Sequence, residues 1–191
     1  KILLIILKDQ EKKFLLKSKI LPIIKKFFRS NNIMFEILDC KKTFGPAETV
    51  FLGIKNYNFK NTTIIANHDQ FVKFEFPKKK FDIFIPIYFN DSDKSSYVKI
   101  KKSYINNIVE KKNISYNASA GIYGFKNLSI LKFILKKALK KKPHFKNEYF
   151  IGPSINNMKY KKKIVPTKTT LKFDLGSTKG VKYFKEFLKI F

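Results

Sequence analysis

The feature that most constrains this chain is an alternation. Short apolar runs suited to strands are interspersed with stretches whose apolar residues recur at helical spacing. Ile2–Leu7 is the first such run, with no polar residue inside it, the pattern of a strand buried on both faces of a parallel sheet. Over residues 9–30, Phe14, Leu15, Ile20, Leu21, Ile24, Phe27 and Phe28 follow a helical period, with Asp9 as the expected N-cap and Pro22 as the expected kink. Ile33–Leu38 reads as a second strand, and 46–57 as a helix with Pro46 suited to its first turn. Strands are expected at 62–66 and 81–89, a hairpin-like pair at 97–100 and 107–110, and a further strand at 119–125. Helices follow at 128–142 and 147–158, a strand at 171–173, and a last helix at Thr178–Ile190 with Ser177 as its N-cap. Strands alternating with helices predict an α/β fold: a Rossmann-like, mostly parallel sheet flanked by helices, forming a single domain over 1–191.

Charge is the next constraint. The 191 residues carry 41 Lys plus Arg against 14 Asp plus Glu, a formal net charge of +27. Such a chain binds polyanions by counterion release whatever its role. Yet Arg29 is the only arginine, and arginine is the usual tool for bidentate reading of phosphates and base edges. The skew toward Lys, Asn, Ile, Phe and Tyr is what AT-rich coding imposes on tolerant surface positions, so a basic nucleic-acid-binding module is carried only as a further alternative, and no specific nucleic acid is expected. With 44% hydrophobic and 16% aromatic residues, the chain is too apolar for a disordered basic tail. No early apolar run approaches the ~20 residues of a membrane span, so no membrane partner is expected. The single cysteine, Cys40, excludes an internal disulfide framework and a cysteine-built zinc site, and a reduced, cytoplasmic setting fits best.

Few residues are placed for chemistry. The strand at 62–66 runs into Asn67, His68, Asp69 and Gln70, and ligands of open α/β sheets bind at the carboxyl ends of strands. Asp69 reads either as a ligand of a divalent cation or as a turn-forming cap, and spacing does not separate the two. His68 and His144 are too far apart in sequence to support a histidine-based metal site or nucleophile. Asp91, Ser92 and Asp93 mimic the aspartate pair of metal-dependent glycosyltransferases, or form a polar turn after a buried strand. Asp174, in Phe173-Asp174-Leu175-Gly176-Ser177, reads as helix-entry chemistry or as a second carboxylate sharing Mg²⁺ with Asp69.

Taken in order, the segments resemble the sugar-1-phosphate nucleotidyltransferases, the pyrophosphorylases that make nucleotide sugars. Gly45-Pro46-Ala47-Glu48-Thr49 is similar to the family's Gly-x-Ala-Gln/Glu-Thr/Ala segment, which opens a helix and touches the base. Ile64 to Gln70 is similar to the strand ending in the family's Mg²⁺-binding Asp, here Asp69. Val109-Glu110-Lys111 resembles the Glu-Lys segment that faces the sugar phosphate, and Ala120-Gly121-Ile122-Tyr123 the strand lining the sugar pocket. Asn147-Glu148-Tyr149 resembles the Asn-(Gly)-Glu-Phe/Tyr element, and Phe173 to Ser177 the Asp-x-Gly-Thr-Pro segment, whose Asp is the second metal ligand, here Asp174.

The resemblance implies transfer of a nucleoside monophosphate from a nucleoside triphosphate to a sugar 1-phosphate, or a similar phosphorylated small molecule, with release of pyrophosphate. Such products activate sugars for surface polysaccharide assembly. Asp69 and Asp174 would hold Mg²⁺, Gly45 and Glu48 would meet the base, and Glu110, Lys111, Gly121 and Glu148 would surround the sugar phosphate, with Lys111 holding its charge. Glu48 accepts but does not donate, which would favour a base edge offering N–H groups, hence cytidylyl or purine over uridylyl or thymidylyl transfer. A glycosyltransferase using Asp91 and Asp93 is the alternative.

One family feature has no counterpart. The family's first strand leads into a Gly-rich, Arg/Lys-containing loop that cradles the triphosphate, whereas all seven glycines here fall at or after Gly45. Residue 1 already lies in what resembles the family's second strand. The expectation is a chain lacking its first strand and phosphate loop, about one βαβ unit, and turning over poorly by itself. Ser177-Thr178 stands where Thr-Pro is usual, and the lysine-rich 159–163 reads as a solvated loop.

Overall fold

The computed structural model describes residues 2–28, 33–40, 42–158 and 162–190. The expected helix end at Ser30 and most of the 159–163 lysine run lie outside these residues.

Strand β1 (Ile2–Leu7) passes directly into helix α1 (Lys8–Phe14), where the Leu7 N–H donates to Gln10 Oε1 at 3.3 Å. The helix therefore starts before Asp9, which lies in its first turn and does not cap it. Leu15 takes a left-handed conformation (φ 50°) and ends α1, and α2 (Leu16–Phe28) resumes at once. The break falls at Leu15, not at Pro22, which lies inside α2. Glu11 supports it by accepting the Lys17 N–H at 2.9 Å, a donor the interrupted helix would leave orphaned. Strand β2 (Ile33–Leu38), expected as a strand from the sequence, pairs with β1 in parallel register, Ile2 to Ile33 through Leu7 to Leu38. Helix α3 (Pro46–Ile54) covers this pair so closely that a Cβ on Gly53 would lie 2.6 Å from the Ile5 side chain.

The larger sheet contains β3 (Thr63–Ala66), β4 (Gln70–Phe74), β5 (Ile83–Phe89), β6 (Ser96–Lys101), β7 (Tyr104–Glu110), β8 (Asn117–Ser119), β9 (Ile122–Phe125) and β10 (Ile164–Asp174). Its order is β3-β9-β5-β8-β6-β7, with β10 on the other side of β5 and β4 on β10. Among the described residues β1 pairs only with β2, and β3 only with β9. The expectation of a mostly parallel sheet is corrected here: within this larger sheet only β5 and β10 run parallel. Parallel neighbours need a long crossover, and no helix intervenes between β5 and β9. Instead Lys102 and Ser103, at φ 49° and 65°, form a two-residue turn that folds β7 straight back on β6.

Three further boundaries differ from the sequence reading. The strand at 119–125 is broken into β8 and β9 at Gly121. The strand at 171–173 is the end of the eleven-residue β10. The helix at 147–158 shrinks to α5 (Ile151–Ile155) and a 3₁₀ turn (Asn156–Met158), because Lys146 and Asn147 take positive φ and Phe145 bridges Glu148. Helix α4 (Leu128–Leu139) is capped by Asn127, whose Oδ1 accepts the Ile130 N–H at 3.0 Å. Helix α6 (Thr178–Ile190) starts at Ser177, whose Oγ accepts the Gly180 N–H at 3.1 Å, as read from sequence.

Helices α3, α4 and α5 enclose one core, in which Ile83, Ile85, Val98, Phe125, Leu131 and Leu135 are buried. Helix α6 packs separately: its Phe184 meets Phe71 and Phe173 with ring centroids 4.9 and 5.2 Å apart, and its Phe187 meets Phe173 at 5.0 Å. Phe71 and Phe173 are partners across the β4–β10 ladder. Strand alternation then turns their neighbours Gln70, Lys172 and Asp174 to the opposite face, where the cleft lies. No helix among the described residues is long and apolar enough to cross a membrane.

Candidate active site

A cleft of about 430 Å³ opens over the carboxyl ends of β3, β5 and β10. Two acids from distant segments meet at it. The turn after β3 delivers Asp69, whose carbonyl accepts the Leu175 N–H at 2.7 Å and so ties that turn to the end of β10. Asp174 ends β10, its Oδ1 accepting the Gly176 N–H at 2.9 Å. Asp174 Oδ1 and Asp69 Oδ2 both lie 3.3 Å from the point a Cβ on Gly176 would occupy, so the two oxygens are no more than twice that distance apart. Both side chains are exposed, and among the described residues no third Asp, Glu, His or Cys joins them. One or two carboxylates completed by water and phosphate oxygens is the donor set Mg²⁺ takes, whereas a zinc site would call for His or Cys. The pair fits the magnesium role that the resemblance implies.

The opposite wall is built of hydroxyl, amide and carboxyl groups. Glu110, at the end of β7, accepts a short hydrogen bond from Ser96 Oγ on β6. Burial pushes its carboxyl above the ordinary glutamate value, with the nearby charge of Glu148 adding to the shift, and the Ser96 bond and Lys111 oppose it. Tyr123 lines the cleft with most of its surface buried, and burial pushes its phenol up. Tyr88 Oη exchanges a hydrogen bond with Ser95 Oγ at 3.1 Å and accepts one from Asn90 at 3.1 Å. Gly121, at φ 75°, lies against Gln70: a Cβ there would be 2.4 Å from Gln70 Nε2, an amide nitrogen that is buried and, among the described residues, without a hydrogen-bond partner.

The sequence-predicted residues divide around this cleft. Asp69, Asp174, Glu110 and Gly121 line it. Gly45 does not, although its neighbour Pro46 does. Its φ of 104° and the proximity of Tyr149, whose carbonyl would lie 2.7 Å from a Cβ, make the position fit only glycine. Around it Tyr149 donates its N–H to Phe44 O at 2.7 Å, and Ala47 donates to Tyr149 O at 3.0 Å. Glu48 is turned into this loop, accepting the Phe44 N–H at 2.5 Å through Oε2. Lys111 is exposed outside the cleft lining at φ 49°, its ammonium 5.1 and 5.3 Å from the ring centroids of Phe145 and Phe150. Glu148 belongs to the Phe145 bridge, and Asp91 and Asp93 also fall outside the lining, whereas their neighbours Ser92 and Lys94 are in it. His144 has a packing role: its Nδ1 accepts the Phe150 N–H at 3.0 Å.

Sequence reasoning missed Lys172, Gln70, Tyr88 and Ser96, all of which line the cleft. Lys172 precedes Asp174 by two residues, the strand period that puts both on one face. That signal was present, though lost among so many lysines.

No protein-family model matches the chain, and no curated protein matches it. Solved structures do. A nucleoside-diphosphate-sugar pyrophosphorylase from Vibrio cholerae RC9 superimposes with a TM-score of 0.78 at 19% identity, over 95% of this chain and 79% of that one. A UDP-glucose pyrophosphorylase complexed with UDP-glucose gives 0.67 at 15% identity, over 96% and 80%. The inositol-1-phosphate CTP transferase from T. maritima gives 0.64 at 14% identity, over 93% and 71%. The chain thus has the α/β fold of the nucleotide-sugar pyrophosphorylases and sugar-phosphate nucleotidyltransferases, in agreement with the family resemblance of its motifs.

Proposed function

We propose that the protein is a nucleotidyltransferase that joins a nucleoside monophosphate to a phosphorylated sugar, or to another phosphorylated polyol. The observation that carries this is the convergence of Asp69 and Asp174 at one end of a cleft whose other end is lined by Ser96, Glu110 and Tyr123. One end suits phosphate and its counter-cation, the other a polyhydroxylated ring. In the reaction a phosphate oxygen of the sugar phosphate forms a bond to the α-phosphorus of the triphosphate. The bond from that phosphorus to the β-bridging oxygen breaks, and pyrophosphate leaves with the electron pair. The attacking oxygen is already ionised near neutral pH, so no general base is required, and the protein's task is to align two polyanions and offset their charge.

In this reading Asp69 and Asp174 hold Mg²⁺, which supplies charge neutralisation at the phosphates. Gly176 leaves both carboxylates room. Glu110, held by Ser96, accepts sugar hydroxyl protons. Gly121 keeps the floor of the cleft low over Gln70. The segment Gly45–Pro46 stands at the edge expected for the base.

The test is pyrophosphate release with each common nucleoside triphosphate, a panel of sugar 1-phosphates and Mg²⁺, with products identified by mass spectrometry. Calorimetric binding of the corresponding nucleotide sugars serves as a second readout. The reading predicts at least one productive pair, and loss of both pyrophosphate and product in Asp69→Asn and Asp174→Asn. Full activity of either variant, or neither turnover nor nucleotide-sugar binding across the whole panel, would overturn it.

A further inference from the structure

Resting on that reading, the geometry points to Lys172 as the residue that holds the phosphate of the sugar phosphate. That phosphate has to lie between the sugar end of the cleft and the two carboxylates. Lys172 occupies this interval. It is half-buried on β10, on the same strand face as Asp174, and it lines the cleft. Its ammonium reaches 5.2 Å from the ring centroid of Tyr88 on β5. Tyr88 is joined through Ser95 to the strand that carries Ser96, and Ser96 holds Glu110. From the strand face that Asp174 and Lys172 share, the contacts of Lys172 with Tyr88 and of Tyr88 with Ser95 thus lead toward the sugar end.

The ammonium is also available. Among the described residues no carboxylate lies within ion-pair distance of Lys172. The face of Tyr88 restrains a cation without neutralising it. Lys111 shares the aromatic contact and, among the described residues, the lack of an ion pair, but it is exposed and outside the lining. Lys94 lines the cleft but is exposed, on the turn that carries Asp91 and Asp93.

The test compares the intact chain with Lys172→Met, Lys172→Arg and Lys111→Met, after circular dichroism and thermal melts confirm folding. Inorganic phosphate binding is followed by ³¹P NMR at physiological ionic strength. The productive pair from the turnover screen gives KM and kcat separately. Loss of a charge-assisted contact predicts phosphate affinity weakened about tenfold or more in Lys172→Met, with KM for the sugar phosphate raised to match. Lys172→Arg should stay within about threefold of the parent, a change worth less than 1 kcal/mol, and Lys111→Met should lose less affinity than Lys172→Met. The proposal is overturned if the parent shows no saturable phosphate binding, or if Lys111→Met loses as much affinity as Lys172→Met. Its failure is distinct from that of the functional reading. Turnover insensitive to Lys172→Met sinks the residue assignment alone, and Lys172-dependent phosphate binding with neither turnover nor nucleotide-sugar binding on any pair sinks the reaction.

Discussion

Asp174 stands opposite Gln70 in the antiparallel ladder of β4 and β10, one position beyond Asp69, and that register brings the two acids to a common point beside Gly176. The free volume over Gly176 is therefore part of the site. Its φ is not in the left-handed region, so alanine is tolerated by the backbone, but the new methyl would press on both carboxylates at 3.3 Å. Gly176→Ala is expected to melt within about 1 kcal/mol of the parent. It should also raise the Mg²⁺ concentration for half-maximal rate about tenfold, the scale on which displaced ligand geometry acts. A magnesium titration of both proteins checks this, and an unchanged midpoint would refute a shared cation.

Glu110 and His144 predict opposite pH dependences of stability. Burial raises the Glu110 carboxyl above its ordinary 4.5, so the unfolded chain ionises it first. Its stabilising contribution is complete below that value and is lost as the pH rises through the folded-state pKa. Burial, and secondarily the charge of Lys141, lowers His144 from its ordinary 6.5. Its contribution is present above 6.5 and is lost as the pH falls through the lowered pKa, where a proton on Nδ1 would displace the Phe150 N–H. In urea titrations across pH, Glu110→Gln should flatten the decline in stability above 4.5. His144→Asn should flatten the loss below 6.5.

How far the fold was legible in the sequence depends on which physical signal each element carries. Strands β1 and β2 were visible because each is a short, mostly apolar run, α4 because of its amphipathic period, and α6 because period and a capping side chain coincide at Ser177. The β6–β7 turn was blurred because Lys102 and Ser103 adopt left-handed conformations without the Gly or Asn that usually announces them. Strand β4 was missed because Gln70–Phe74 is short and only half-buried, and its pairing depends on a partner far along the chain. The same long-range ladder explains the site. Asp69 and Asp174 were each readable as strand-end acids, but their meeting is a matter of register, which local pattern does not encode. Lys172 carried no compositional contrast at all.

Gly121 and Gln70 form a coupled pair. A side chain on Gly121 would have to hold φ at 75° and displace the buried Gln70 amide. Gly121→Ala is expected to cost about 2 kcal/mol or more from left-handed strain and overpacking together. Gln70→Ala alone removes a buried donor that has no partner among the described residues, and should change stability by less than about 1 kcal/mol. In the double variant the steric part is relieved while the backbone strain stays, so the cycle should show about 1 kcal/mol of coupling. Denaturant melts of the four proteins measure it, and strict additivity would mean the two do not touch.

Glu48 separates a structural from a discriminating role. It is the third residue of α3, and its carboxylate reaches back to the Phe44 N–H, as in a capping interaction that steadies the loop carrying Gly45. Removing that acceptor in Glu48→Ala should cost about 1 kcal/mol. Glu48→Gln keeps an acceptor oxygen and should lose only about half of this, since a neutral acceptor makes the weaker bond. Because the carboxylate faces the loop, Glu48→Gln is expected to leave the ranking of nucleoside triphosphates unchanged. The measurement is relative kcat/KM across the triphosphate panel for the parent and Glu48→Gln. A swing toward UTP or dTTP in the variant would show instead that this carboxylate turns to the base when nucleotide is bound, and would restore the cytidylyl or purine preference that an acceptor-only side chain implies.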